Sequence, residues 1–119
     1  MSQIILDEQL NRDRVLTPLL NWITVQKLEE LRFNEVTKVD RIPSLLRELK
    51  NSTFVTIDDG FWNRDLLDPN YCILYFALQD HQQAQIPNLL RGLLKLAEFK
   101  TKAIRMGKVA KVSKTHIEY

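Results

Sequence analysis

Three aspartates lie at the predicted ends of strands or at the predicted start of a helix. In a fold of alternating strands and helices, such positions bring side chains from distant parts of the sequence together. Asp7 directly follows the short apolar run Gln3–Leu6, and Asp58 directly follows the run at residues 53–57. Asp40 opens the amphipathic segment that lies between those two runs. Functional groups gather beyond the carboxyl ends of parallel strands, so the three acids are predicted to lie on one rim of a sheet.

Carboxylates on such a rim can bind a divalent cation. Neighbouring strands lie about 4.8 Å apart, so acids at their ends approach closely and repel one another unless a cation compensates. Mg²⁺ and Mn²⁺ prefer oxygen ligands, and a bound ion can orient water and offset charge on a phosphodiester. The residues predicted as both metal ligands and catalytic residues are Asp7, Asp40 and Asp58. Further carboxylates close to them in the sequence are Glu8, Asp59 and Asp65.

Each of these acids also has an ordinary structural explanation. Asp40 stands where the N-cap of a helix belongs, a role worth about 1 kcal/mol. Residues 58–60 read Asp-Asp-Gly, a sequence typical of turns. Asp7 and Glu8 are placed to begin a helix and to complement its dipole. Both interpretations stay open, and the coincidence of three acids on one rim is what favours a site.

Alternating patterns along the chain predict the elements that would position these acids. Apolar or β-branched runs predict strands at residues 3–6, 22–25, 53–57 and 71–78. Apolar side chains at helical spacing predict helices at residues 39–50 and 86–97. Residues 108–113 and 116–119 could pair as a C-terminal hairpin. Strands that alternate with helices imply an α/β fold, with three layers around a mostly parallel sheet, in a single domain at residues 1–119.

Length and composition exclude several classes of protein. The chain has 119 residues, of which 45% are hydrophobic and 27% charged, with 3 Gly and 4 Pro. These values exclude collagen-like, low-complexity and wholly disordered chains. No apolar run approaches the roughly 20 residues of a membrane helix, and residues 1–11 lack the pattern of a signal peptide. The lone Cys72 cannot form an internal disulfide, so we expect a cytoplasmic protein with no membrane contact.

Positive charge is concentrated toward the C-terminal end of the sequence. Residues 84–119 contain 8 Lys and Arg against 2 Asp and Glu, a net charge of +6. Residues 1–83 contain 9 Lys and Arg against 13 Asp and Glu, a net charge of −4. Such asymmetry is typical of a solvated basic tail, and also of a surface that attracts nucleic acid. On the second interpretation, the basic segment would lie beside an acidic site. If this segment does bind nucleic acid, the residues that contact it are Lys100, Lys102, Arg105, Lys108 and Lys111.

Four segments of the sequence resemble the motifs of one known family. Residues 5–10, I-L-D-E-Q-L, are similar to an L-L-D-E-N-L start, and residues 55–61, V-T-I-D-D-G-F, are similar to a V-T-x-D-x-D-F segment. Residues 39–42 stand where that family has a helix start of the S-D-E-E-I type, and residues 72–75 stand at its next apolar strand. The family with these motifs is that of the small PIN-like proteins often encoded in bacterial toxin–antitoxin pairs.

The resemblance implies a PIN-like fold and, as the usual activity of the superfamily, metal-dependent cleavage of RNA. With Mg²⁺ or Mn²⁺ as cofactor, the acids carried over to this sequence are Asp7, Asp40 and Asp58. A toxin component of this kind has RNA as its substrate and an antitoxin-type protein as its partner. Gly60 stands in place of the family's second aspartate, which removes one ligand that Asp59 or Asp65 could replace.

Two other interpretations of the same resemblance stay open. The short PIN-like families include members without an assigned activity, so the fold does not by itself establish a nuclease. The alternative function is therefore a non-catalytic PIN-like interaction protein, or a module that binds nucleic acid without cleaving it. The oligomeric state is also open, and a homo-oligomer is compatible with the sequence.

Overall fold

A six-stranded sheet forms the centre of the computed structural model, which describes residues 3–28, 42–49 and 51–119. In the order in which they lie side by side, the strands are β2 (Val25–Lys27), β1 (Gln3–Leu6), β3 (Ser52–Thr56), β4 (Tyr71–Phe76), β5 (Val109–Val112) and β6 (Ile117–Glu118). All neighbouring pairs are parallel except β5 and β6, which run antiparallel. The predicted α/β class, the mostly parallel sheet and the C-terminal hairpin are confirmed.

Helical segments connect the strands. A π-helical turn (Arg12–Leu16) continues directly into the short helix α1 (Thr17–Leu20). The longer helices are α2 (Ile42–Leu49) and α3 (Ile86–Leu93), and the short helix α4 (Lys102–Arg105) precedes β5. Segments of 3₁₀ helix lie at Asp59–Phe61, Arg64–Leu66 and Asp80–Gln85. None of the helices in the described ranges is long and apolar enough to cross a membrane.

Both faces of the sheet carry apolar side chains, because successive residues of a strand point to opposite faces. On the face covered by α2, which we call the α2 face, one row of the strand register consists of Ile5, Phe54, Ile73 and Val109. This apolar row belongs to one buried cluster with the α2 residues Ile42, Leu45 and Leu46. On the opposite face, Ile4 and Leu6 cluster with apolar residues from positions 10–19 and with α3.

The second strand begins three residues later than predicted. The prediction placed it at residues 22–25, whereas β2 comprises Val25–Lys27. The N–H groups of Trp22 and Ile23 both donate to the Leu19 carbonyl, so these two apolar residues close the turn after α1. Local β propensity at Trp22 and Ile23 is therefore overridden by the end of the preceding helix.

The helix predicted at residues 86–97 ends earlier, at Leu93. Beyond that point the Lys95 N–H donates to the Gly92 carbonyl and the Leu96 N–H to the Leu93 carbonyl, each three residues back. Such 3₁₀-type bonds commonly close the end of a helix. Ala97, which the periodicity assigned to the apolar face, is exposed in the turns that follow.

The remaining predicted elements are close to the observed ones. The strands predicted at residues 53–57 and 71–78 are observed as Ser52–Thr56 and Tyr71–Phe76. The Leu78 N–H donates to the Phe76 carbonyl, a tight turn that ends β4 before the apolar run is finished. The helix predicted at residues 39–50 is observed from Ile42 to Leu49, and its predicted N-cap, Asp40, lies outside the described residues.

Candidate functional site

Asp7 lies just beyond β1 at the carboxyl edge of the sheet, beside the end of β3. Its N–H donates to the Val55 carbonyl at 2.9 Å, which extends the pairing of the two strands by one residue. The residue is only 4% exposed. Thr56, the last residue of β3, donates its hydroxyl to Asp7 Oδ2 at 2.7 Å. The ends of two strands that are far apart in sequence therefore meet at this hydroxyl group.

Asp58 follows Thr56 in the loop that leaves β3. The same Thr56 hydroxyl oxygen accepts the backbone N–H of Asp58 at 3.0 Å. Asp58 Oδ1 accepts the N–H of Gly60 at 2.9 Å and so caps the 3₁₀ segment Asp59–Phe61. A Cβ atom at position 60 would stand 3.2 Å from that oxygen, so glycine leaves room for this hydrogen bond. Thr56 thus connects the Asp7 side chain to the loop that bears Asp58.

The Asp7 carboxyl is electrostatically perturbed. Burial is the main cause, and it raises the pKa of Asp7 above its ordinary value. Hydrogen bonds from the Thr56 hydroxyl and the Glu8 backbone N–H act in the opposite direction, because they stabilise the charged carboxylate. The negative charges of Asp58 and Glu8 raise the pKa of Asp7 further. A carboxyl perturbed in this way at the end of a strand is a candidate functional group.

A row of polar side chains continues from Asp7 along the carboxyl edge of the α2 face. Two residues beyond each member of the apolar row lie four polar residues, which we call the polar row: Asp7 just after β1, Thr56 on β3, Tyr75 on β4 and Lys111 on β5. Side chains alternate with a period of two, so the polar row lies on the same face as the apolar row. It extends from a carboxyl group beside β1, through a hydroxyl and a phenol, to an ammonium group on β5.

The other predicted acids are exposed or lie outside the described residues. Glu8 and Asp59 are exposed neighbours of Asp7 and Asp58 in the chain, and Asp65 is exposed on a separate 3₁₀ segment. Asp40 lies outside the described residues. Among the residues that the structure describes, no three His, Cys, Asp or Glu side chains are grouped so that they could hold a metal ion. Of the three acids predicted as both metal ligands and catalytic residues, the structure therefore describes Asp7 and Asp58, which are connected through Thr56.

The predicted basic residues are distributed over both ends of β5. Lys100 and Lys102 lie just before and at the start of α4, and Lys108 immediately precedes β5. These three lysines are therefore toward the amino end of the strand. Lys111 is the third residue of β5, close to the carboxyl end of that strand. It therefore lies at the same edge of the sheet as Asp7 and Asp58. Of the predicted nucleic-acid contacts, only Lys111 belongs to the polar row.

Arg105 lies inside the protein and is 1% exposed. Its Nε donates to Thr53 Oγ1 at 3.1 Å, and its Nη1 donates to the Phe99 carbonyl at 2.9 Å. Burial lowers the pKa of the guanidinium, and the nearby Cys72 thiol acts in the opposite direction. A guanidinium enclosed in this way joins α4 to β3, so Arg105 does not belong to a surface that contacts nucleic acid.

Sequence reasoning missed Thr56 and Tyr75. Both belong to runs that were interpreted as buried strands, in which a hydroxyl or a phenol attracts no attention. The available signal was positional: each is the polar member of its strand nearest the carboxyl end, at the edge where functional groups gather. The pairing of these residues with Asp7 and Lys111 depends on strand order and register, which the sequence patterns do not specify.

Comparison with known proteins identifies no relative, since no family model, no curated protein and no solved structure matches the chain. The resemblance to PIN-like proteins therefore depends on the four sequence segments alone. What the structure contributes is the geometry at the carboxyl edge of the sheet: a buried carboxyl at Asp7, its Thr56 partner, and the neighbouring charge of Asp58.

Proposed function

We propose that this protein is a metal-dependent ribonuclease with a three-layer PIN-like fold, in which Asp7, Asp40 and Asp58 bind Mg²⁺ or Mn²⁺. One observation carries the proposal. The Asp7 carboxyl is buried at the carboxyl edge of a parallel sheet, and the charges that act on it, from Asp58 and Glu8, are both negative. A divalent cation would offset that repulsion, and carboxylate oxygens are the ligands that Mg²⁺ and Mn²⁺ prefer.

Some side chains of the site orient the metal ligands, and others would bind the metal ion. Thr56 holds Asp7 in one orientation through its hydrogen bond to Oδ2. Asp58 uses Oδ1 to cap the following segment, which leaves its Oδ2 as the oxygen for a ligand. A divalent ion bound to these carboxylates supplies charge stabilisation and an activated water for phosphodiester hydrolysis. The chain's own contribution is to hold two acids from separate strands at one edge.

The biological setting that we propose is that of a toxin–antitoxin pair in the cytoplasm. This part depends on the similarity of residues 5–10 and 55–61 to the motifs of small PIN-like proteins. RNA is the proposed substrate, and an antitoxin-type protein is the proposed partner. A homo-oligomer is compatible with the same proposal.

The test is RNA cleavage with Mn²⁺, with EDTA as the metal-free control. Asp58→Asn keeps the size of the side chain and can still cap Gly60, because asparagine favours the same turn. Loss of a metal ligand should lower cleavage by about 100-fold or more, since even outer partners of a metal cost 10–100-fold. The matched control is Glu98→Gln, which removes one exposed carboxylate between α3 and α4 and should cleave like the wild type.

Two outcomes would contradict the ribonuclease proposal. If the wild-type protein cleaves no RNA in the presence of Mn²⁺, either alone or with its partner, the protein is not a ribonuclease. If Asp58→Asn cleaves RNA as well as Glu98→Gln does, Asp58 is not a metal ligand. A thermal melt of each variant separates these results from loss of folding, and bound Mn²⁺ should raise the Tm of the wild type.

A specific observation favours the second candidate function, a non-catalytic PIN-like interaction protein or nucleic-acid-binding module. Both carboxyl groups already have partners within the protein, since Asp7 accepts the Thr56 hydroxyl and Asp58 accepts the Gly60 N–H. Carboxyl groups satisfied in this way can be purely structural. A Tm that does not change with Mn²⁺, together with absence of cleavage, would favour this second function.

A further inference from the structure

The polar row extends well beyond the proposed metal ligands. Tyr75 on β4 is the register partner of Thr56, and Lys111 on β5 is the register partner of Tyr75. Neighbouring strands are about 4.8 Å apart, so Lys111 stands about 14 Å along the sheet edge from Asp7 at the level of the backbone. Charge along this edge changes from negative at Asp7 and Asp58 to positive at Lys111. Lys111 is therefore the cation of the polar row, and it can attract an anionic group at the end of the edge that is remote from Asp7.

Lys111 is half-buried, and its ammonium group takes no part in the salt bridges found among the described residues. Its register partner on β6 is the acidic residue Glu118. Glu118 directs its carboxylate Oε1 to within 3.3 Å of His116 Nε2. The Lys111 ammonium is therefore placed at the edge of the site without an ion pair in the described part of the chain.

The Tyr75 hydroxyl differs in its surroundings from the neighbouring Tyr71 hydroxyl. Tyr71 donates its hydroxyl to the Leu66 carbonyl, whereas Tyr75 makes no side-chain hydrogen bond within the described ranges. Burial raises the pKa of Tyr75, and the negative charges of Asp59 and Asp58 raise it further. A phenol is protonated at neutral pH in any case, so the Tyr75 O–H is available as a donor near these two aspartates.

We propose that Tyr75 and Lys111 form a phosphate-binding subsite that holds the backbone of single-stranded RNA beside the Asp7 and Asp58 carboxylates. The chemistry matches a phosphodiester, which offers acceptor oxygens to the phenol and one negative charge to the ammonium group. Lysine and tyrosine are both common donors to nucleic-acid phosphates. The identification of the ligand as RNA rests on the proposed function, but binding at this subsite requires neither a metal ion nor cleavage.

The test is binding of a fluorescently labelled single-stranded RNA oligonucleotide, measured by anisotropy in EDTA over a series of salt concentrations. Lys111→Gln should weaken binding about 5- to 10-fold. The slope of log K against log salt concentration should become less steep by about 1, the value expected for loss of one phosphate contact. Tyr75→Phe should weaken binding about 2- to 10-fold, the range of one hydrogen bond. Lys111→Arg should retain most of the affinity, since it keeps the charge.

Matched controls distinguish this subsite from general electrostatic attraction. Lys114→Gln removes an exposed lysine in the turn of the same hairpin, and Tyr119→Phe removes a hydroxyl from a ring that packs on Phe99. Both should bind RNA within about 2-fold of the wild type, because neither lies in the polar row. Thermal melts of all five variants confirm that each is folded at the temperature of the assay.

The possible results separate the subsite from the proposed nuclease activity. Wild-type protein that binds RNA in EDTA, with losses confined to Lys111→Gln and Tyr75→Phe, supports the subsite even if no RNA is ever cleaved. Losses in Lys111→Gln no larger than those in Lys114→Gln would overturn the subsite, while cleavage that depends on Asp58 would still stand. Wild-type protein that does not bind RNA even at low salt would also overturn the subsite.

Discussion

At the scale of single residues, the Asp7 carboxyl is harder to ionise in the folded protein than in the unfolded chain. Its burial removes the charged form from water, and the neighbouring acids oppose a second negative charge. The Thr56 hydrogen bond compensates only in part, because the net direction of the pKa is upward. Burial of the Asp7 charge is therefore unfavourable for folding, at a position where an apolar residue could have continued the strand. Such a carboxyl group is typical of a residue that serves in binding or catalysis.

We predict that Asp7→Asn becomes more stable relative to the wild type as the pH rises. Between the ordinary pKa of 3.8 and the raised folded value, the folded wild type holds more protons than the unfolded chain, so its stability falls as pH rises. Asparagine does not ionise and lacks this dependence. Thermal melts in EDTA from pH 3.5 to 8 should therefore show the Tm difference moving in favour of Asp7→Asn through that window.

The control for this titration is Glu98→Gln, in which an exposed carboxylate is replaced outside the site. Its Tm relative to the wild type should change little over the same pH range, because an exposed carboxyl has similar surroundings in the folded and unfolded chains. A Tm difference for Asp7→Asn that is constant with pH would contradict the raised pKa of Asp7.

At the scale of the elements, a buried arginine connects the short helix α4 to the sheet. α4 has only four residues, and its N-cap Thr101 accepts the Ile104 N–H at 3.2 Å. Arg105, the last residue of α4, donates to Thr53 of β3 and to the Phe99 carbonyl. Neither contact can be recognised from sequence, because a lysine- and arginine-rich segment has the same pattern whether it faces solvent or the interior.

Arg105→Ala should lower the free energy of unfolding by about 3 kcal/mol. The substitution leaves a cavity and deprives the buried Phe99 carbonyl and Thr53 hydroxyl of a donor, both of which are costly. Urea denaturation followed by circular dichroism measures the change. Lys102→Ala on the same helix is the control and should cost less than about 0.5 kcal/mol, since that lysine is half-exposed. A loss below about 1 kcal/mol for Arg105→Ala would contradict the structural role.

At the scale of the whole molecule, the order of strands places β1, β3, β4 and β5 in the interior of the sheet and β2 and β6 at its edges. β3 is buried along its full length, and five of the six residues of β4 are buried. β6 has two residues, both at least partly exposed. The carboxyl edge that bears Asp7, Thr56 and Tyr75 therefore projects from the best-packed strands, which suits a site that must be held rigidly.

Backbone hydrogen exchange should follow this order of strands. The amides of Phe54 and Ile73 should exchange slowest, because they open only when the core is lost. The amides of β6 should exchange on the order of 100-fold faster or more, since a short edge strand opens locally. Exchange measured by NMR, with rates normalised to those of unstructured peptides, checks the prediction. Equal protection of β6 and β4 would contradict it.

The sequence by itself determined the elements whose signals are local. Residues 53–57 and 71–78 are β-branched or apolar runs, and residues 39–50 and 86–97 show the apolar spacing of one helical face. These signals predicted β3, β4, α2 and α3 to within a few residues. The same signals placed Asp7 and Asp58 at strand ends. At Trp22 and Ile23, the end of the preceding helix competes with the strand for the same residues. The local pattern was insufficient there, and β2 begins later than predicted.

Only the tertiary structure decided which side chains share the carboxyl edge and which are enclosed. The Thr56 hydroxyl reaches Asp7 across 49 positions of sequence, and the Arg105 guanidinium reaches Thr53 across 52. Such contacts depend on strand order and register, and a shift of one residue in register would turn Tyr75 and Lys111 to the opposite face. Because the energies that select one register come from packing of the whole core, no local pattern in the chain specifies the polar row.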